Sequence, residues 1–312
     1  MKSKVLKLLV PLLSCVFVSC SSPELREENN TLYGVSFYLQ PSFDIRSFPK
    51  TKSMPGNLPS EPHTKQADGT EEEPSLFDRI EYALYEKETG ALVKHISLTE
   101  ENSDEDFGVY LYDKVEAGIY KVALLAHSAS DASFENNIIS GGDVGDSFFA
   151  SAEFEVGPHS QELSVELTLR RVVSRIEFFA EDVIPVAADK FIIQVSGRYD
   201  SFNLREGNAT QLTPLTQVYS LNETGETAYA FYTFVPTSAS ETDTYSIDEI
   251  QLTTLDNSGD TLYSVTVQNT PIIRNHIIRY TGDLYTRKIS NALKLQIEDN
   301  GLWKDPIDLQ LP

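Results

Sequence analysis

Residues 162–169 read ELSVELTL, and within them Leu163, Val165, Leu167 and Leu169 alternate with Ser164, Glu166 and Thr168. Side chains of a β-strand point to opposite faces in turn, so a strict period of two describes a strand with one buried face. The same period runs outward in both directions. Upstream, FDRIEYALYE (77–86) places Ile80, Tyr82 and Leu84 on one face, ALVKHISL (91–98) follows the turn residues Glu88-Thr89-Gly90, and SFFASAEFEV covers 147–156. GIYKVALLAH (118–127) is apolar on both faces near its middle, the pattern of a central strand. Downstream, strands are expected in VVSRIEFFAED (172–182), KFIIQVSG (190–197), AYAFYTFV (228–235), YSIDEIQLTTL (245–255), TLYSVTV (261–267), NHIIRYTGDLY (275–285), NALKLQI (291–297) and PIDLQL (306–311). Asp256-Asn257-Ser258-Gly259 joins two of them as a hairpin turn. Gly, Asn, Asp and Pro separate the segments, and no stretch longer than two turns carries a 3.6-residue apolar stripe. The expected fold is all-β: two antiparallel β-sandwich domains, 31–170 and 171–312, meeting near Arg170-Arg171.

The N-terminal side of this β region is built differently. Residues 31–39, TLYGVSFYL, form a strand candidate with Leu32, Val35, Phe37 and Leu39 as its apolar positions. Residues 40–75 then contain Pro41, Pro49, Pro55, Pro59, Pro62 and Pro74 and end in Glu71-Glu72-Glu73 before Pro74. That composition predicts a long disordered loop, which separates one strand from the rest of its domain. Ahead of the strand, residues 21–30 are a short polar, acidic tether. Residues 1–19 read as a signal peptide, with Lys2, Lys4 and Lys7 before an apolar run from Leu8 to Val18. Phe17-Val18-Ser19-Cys20 resembles a bacterial lipobox, with Phe17 where Leu is commonest. The resemblance implies cleavage before Cys20 and acylation of that cysteine, which anchors the chain on a membrane.

Composition closes several functional classes. The 312 residues carry 47 acidic and 25 basic side chains, a formal charge of −22 that leaves no basic stripe to replace counterions on nucleic acid. Cys15 and Cys20 are the only cysteines, so the region after them has no disulfide framework, cysteine zinc site or thiol nucleophile. The five histidines (His63, His95, His127, His159, His276) show no metal-ligand spacing, and neither a GxSxG elbow nor a glycine-rich phosphate loop occurs. The acidic run Glu100–Asp106 lacks a calcium-loop pattern and is expected to be solvated, while Gly141–Asp146 is expected to turn the chain. Trp303, the single tryptophan, sits between two closing strands. Asp260-Thr261-Leu262 matches a short aspartate–threonine–aliphatic acceptor pattern for O-glycosylation. No catalytic residue, cofactor or metal site is expected, and the protein is not expected to be an enzyme.

Three stretches together resemble the fimbrillin superfamily of Bacteroidales, the subunits and anchors of type V pili. They are the lipobox with its acidic tether and single strand, the junction LTLRRVVSRIEFFAEDVIP (167–185), and IIRNHIIRYTGDLYT (272–286) with the tryptophan-containing end NALKLQIEDNGLWKDPIDLQLP (291–312). The resemblance implies two transthyretin-like sandwiches in an outer-membrane lipoprotein lipidated at Cys20. It also implies assembly with other fimbrial subunits by β-strand exchange, incorporation into extracellular fimbriae, and adhesion to a host surface ligand. Polymerising members of that superfamily are cut after an arginine, releasing the first strand. The arginine available here is Arg46, with Ser47 as the new N-terminus. The alternating positions Leu293, Leu295 and Ile297, or Ile307, Leu309 and Leu311, would serve as a donor strand. An anchor member would keep lipid and strand uncut. The alternative is a surface glycan-binding lipoprotein of a polysaccharide uptake system, which shares the lipobox, acidity and sandwiches.

Overall fold

The computed structural model describes residues 31–42, 76–103, 106–129, 131–141, 143–157, 162–221, 228–237, 245–286, 293–299, 302–303 and 307–308. From Leu32 onward the described residues form one compact unit. Its first half contains β1 (Tyr33–Pro41), β2 (Arg79–Glu86), β3 (Leu92–Thr99), β4 (Tyr110–Val115), β5 (Gly118–His127), β6 (Ser133–Glu135), β7 (Ile138–Ser140), β8 (Ser147–Val156) and β9 (Leu163–Arg171). The second half contains β10 (Val173–Ala180), β11 (Ala188–Tyr199), β12 (Phe202–Asn203), β13 (Asn208–Ala209), β14 (Leu212–Ser220), β15 (Ala228–Phe234) and β16 (Tyr245–Asp256). It closes with β17 (Thr261–Ile272), β18 (His276–Gly282), β19 (Lys294–Asp299), β20 (Leu302–Trp303) and β21 (Ile307–Asp308). The fold class is all-β, as the period-two pattern predicts.

The first half is one sheet in the order β3-β2-β5-β8-β9-β1-β4. β8 and β9 pair over only Phe148↔Arg171 and Phe149↔Arg170, and the sheet folds over at that corner around a common core. Phe37 of β1 meets Tyr82 of β2 and Phe154 of β8, with ring centroids 5.7 and 5.5 Å apart, so strands from both sides of the corner interdigitate. The two free edges meet as well: Tyr82 and Lys94, on β2 and β3, both donate to the Asp113 carboxylate on β4. The second half places β15-β10-β18-β19-β20 against β14-β11-β16-β17 around its own core.

A third core joins the halves. β5 is buried on both faces: Val122, Leu124 and Ala126 point into the first core, whereas Ala123 and Leu125 point outward into a separate cluster. That cluster also holds Ala83 and Tyr85 of β2, Ile139 of β7, and Phe202, Leu204, Ala209 and Phe234 from the second half. A four-stranded sheet, β13-β12-β7-β6, crosses the boundary, because β12 pairs with β7 through Phe202↔Ile139 and Asn203↔Ile138. Gly207 (φ +69°) brings this small sheet onto β8; a Cβ there would lie 2.6 Å from the Phe149 ring. The sequence reading contains neither these short strands nor β4 and β14. It also lacks β20, since Trp303, expected between the closing strands, lies in a two-residue strand paired with β19. It contains the remaining strands, within about five residues at their ends, and the run 40–75 is shorter at its start, since β1 extends to Pro41.

Because the halves share a core, unfolding in urea should follow one transition, with fluorescence and circular dichroism coincident. Phe202→Ala should cost about 3–5 kcal/mol, the range for removing a buried phenyl ring, and keep the transition single. Two separated transitions in the unmodified protein would contradict the shared core.

Candidate functional site

The feature with the most distinctive geometry is β1 and the slot it fills. Along this strand Val35, Phe37 and Leu39 are 0, 0 and 4% exposed, while Tyr38 on the opposite face is 43% exposed. β1 pairs antiparallel with β4, from Tyr33↔Val115 to Tyr38↔Tyr110, and parallel with β9, from Val35↔Leu163 to Pro41↔Leu169. It therefore lies between the two strands, and its removal would leave two facing ladders of unpaired N–H and C=O groups. On the outer face Ser36 is buried beneath Tyr110 and donates its hydroxyl to Glu162 at 2.8 Å. Tyr38 meets Tyr110 at 5.4 Å with the rings tilted by 55°. The chain leaves the slot where the Ser42 N–H donates to Leu169 O, beside the start of the second half.

The residues singled out in the sequence fall in different places. Cys20, Arg46, Ser47, Leu309 and Leu311 lie outside the described residues, as does most of the 40–75 loop. Leu293 and Leu295 are buried in the second core, with Ile297 packed against it; in this conformation they serve their own half. Ile307 pairs with Leu295 through its backbone. The grouping of titratable side chains was not legible in the sequence.

Arg171 marks the passage from β9 to β10 and is 2% exposed. Its guanidinium donates to both Asp146 oxygens, at 2.7 and 2.8 Å, and to Asn275 Oδ1 at 2.6 Å, and it stacks 4.9 Å from the Phe148 ring centroid. One side chain thereby clamps loops from both halves, and Asp146, at the end of the turn segment 141–146, is its half-buried ion-pair partner. Burial pushes the Asp146 carboxyl above its ordinary range in spite of the Arg171 charge. One strand further, Glu177 is fully buried between Arg175 (2.9 Å) and Arg279 (2.6 Å).

Glu81 is the centre of another buried group. It accepts from Ser97 at 2.7 Å, lies 2.7 Å from His95 Nε2, and faces His127 Nε2 at 3.8 Å. His95 stacks on Phe134 of the β6–β7 hairpin at 3.8 Å. Burial raises the Glu81 carboxyl, but His127, Ser97 and His95 more than reverse that and hold it below its ordinary value. Among the described residues no group of three or more His, Cys, Asp or Glu side chains is placed to hold a metal ion. Grooves of about 430 and 330 Å³ lie along the β3 and β4 edges, the larger lined by Leu32, Val93, Val115 and Ile119.

Residues 114–309 match the profile of a family of unknown function (DUF6562). No curated protein matches the chain. Among solved structures, the chain is similar to a fimbrial assembly protein from Parabacteroides distasonis, at 12% identity and TM-score 0.48, over 89% of this chain and 99% of that one. It is similar to a putative adhesin from Bacteroides ovatus, at 12% identity and TM-score 0.47, over 90% and 96% of the two chains. It is also similar to the fimbrial anchor protein Mfa2 from Porphyromonas gingivalis, at 10% identity and TM-score 0.45, over 88% and 99%.

A carboxyl held below its unfolded value stabilises the fold above the unfolded value and loses that contribution as pH falls through the folded one. The thermal midpoint of the unmodified protein should therefore exceed that of Glu81→Gln at neutral pH, and the gap should narrow as the solution is acidified through and below the ordinary carboxylate range. A gap independent of pH would show that Glu81 acts by packing alone.

Proposed function

The chain belongs to the DUF6562 family of unknown function, and on that premise we propose that it is a non-catalytic structural subunit or anchor of a cell-surface fimbrium. In this reading it is held at the outer membrane by acyl chains on Cys20 and joins other fimbrial subunits by β-strand exchange. The observation that carries the reading is the placement of β1, hydrogen-bonded on both sides and buried by alternate residues. β1 is joined to β2 through residues 43–75, where Arg46 and Ser47 lie.

A cut between Arg46 and Ser47 would separate β1 covalently from the body without touching any other described strand. Its departure would uncover the pockets of Val35, Phe37 and Leu39, each worth roughly 1.5–3 kcal/mol of burial, together with the backbone edges of β4 and β9. An extended segment with apolar side chains at alternate positions answers both needs, which is how strand addition combines affinity with selectivity. An anchor would use the same architecture differently, keeping β1 in place and the acyl chains in the membrane. The resemblance in the junction and closing segments supports the same assignment.

Intact-mass spectrometry of protein extracted from its native envelope tests this proposal. A chain beginning at acylated Cys20 is the result expected of an anchor, and a chain beginning at Ser47 that of a polymerising subunit. An unacylated chain retaining residues 1–19 would contradict both.

A further inference from the structure

β17 is twelve residues long, from Thr261 to Ile272, and contains no charged side chain. Among the described residues it closes one side of its sheet, with β16 as its strand partner. Proteins usually protect such an edge with charge, proline, a bulge or a covering element, because unpaired N–H and C=O groups recruit other strands. Here Pro271 comes at the far end, Asn269 takes φ +55° just before it, and the register slips at the beginning, where Leu262 is left over between Leu255↔Thr261 and Thr254↔Tyr263. The run between, Tyr263 to Gln268, carries neither charge nor proline, and Leu262 is 42% exposed.

The start of the strand has a second peculiarity. The hairpin before it is held rigid by Asp256, whose Oδ1 accepts from the Ser258 and Asp260 N–H groups at 2.9 and 2.8 Å. The Asp256 N–H donates to Asp260 O at 2.9 Å, closing the loop. At the tip Gly259 has φ +88°, and a Cβ built there meets nothing within 4 Å. Thr261 follows directly, exposed, between exposed Asp260 and exposed Leu262. A turn fixed by Asp256 therefore leads directly into an exposed secondary hydroxyl. It lies within the acceptor triplet noted in the sequence and at the first residue of this uncharged edge strand.

We infer that Thr261 Oγ1 carries an O-linked glycan, and that this glycan shields the β17 edge from pairing with other strands. The co-substrate is a sugar activated on a diphosphate carrier. Thr261 Oγ1 attacks the anomeric carbon, forming the new C–O bond. The bond from that carbon to the diphosphate oxygen breaks, its electron pair leaves with the diphosphate, and the hydroxyl proton passes to a base of the transferase. A bulky, hydrated substituent at this position obstructs the approach of a second strand. The inference is independent of the fimbrial reading and needs only that the chain meet such a transferase in its own cell.

The test is peptide and intact-mass spectrometry on the full chain from its native host, taken from whichever fraction holds it. The expected result is a mass excess equal to a whole set of sugar residues, located on the peptide containing Thr261 and released by alkaline elimination. Thr261→Ala should lose the entire excess at this peptide, and Thr261→Ser, which restores a hydroxyl, should retain it. An unmodified Thr261 peptide in the native protein would overturn the assignment. Thr261→Ala should also self-associate at concentrations where the modified protein is monomeric by sedimentation, with unchanged circular dichroism. Equal sedimentation of the two would overturn the shielding role.

Discussion

The insertion of β1 between β4 and β9 is the constraint on which the first half depends. The strand completes two ladders and supplies Val35, Phe37 and Leu39 to the core, yet it is joined to β2 only through residues 43–75. Loop-closure entropy rises slowly with length, by about 0.6 kcal/mol for each doubling. The length of that connection therefore adds little to the cost of seating the strand. The slot itself is specified by the residues that line it. In the proposed mechanism this is what makes the occupant replaceable: the lining recognises a pattern of side chains and backbone, whichever chain provides them.

The two halves, by contrast, are not joined by a tether. Between β9 and β10 stands only Val172, fixed by its own backbone bonds to Ser147 and Val235. Arg171 clamps Asp146 and Asn275 across the same boundary, and the outward faces of β2 and β5 are covered by Phe202 and Leu204. The passage from β9 to β10 is therefore a packed seam between cores and not a hinge between separable bodies. A load applied at one end of the molecule would pass to the other through packed side chains and a shared sheet.

How much of this was legible in the sequence follows from local physics. Strands such as β8 and β9 alternate because one face is wet, and β5 lost its alternation because both faces are buried, which its composition already displayed. β4 was missed because Asp113 and Lys114 break its apolar run, although Asp113 is turned inward to Tyr82 and Lys94. β14 was missed because Pro214 argues against a strand, which holds for a central one and not for the edge position it occupies. The parallel register of β1 with β9, and the short strands of the third core, join residues far apart in the chain and leave no periodic trace. Arg175 and Glu177 occupy alternate positions and look like a solvated face, yet packing buries them both with Arg279. Charged pairs of this kind are visible only once the tertiary neighbours are placed.

The replaceability of β1 is the central claim, and one exchange experiment tests it most directly. The full chain, carrying a specific protease site within residues 43–75, is cut and incubated with a fluorescent peptide matching residues 31–42. The account predicts that the labelled peptide displaces the cut strand and binds one to one, while a peptide with Phe37→Asp does not. A body that refuses the matching peptide, with its remaining strands still folded by circular dichroism, would contradict it.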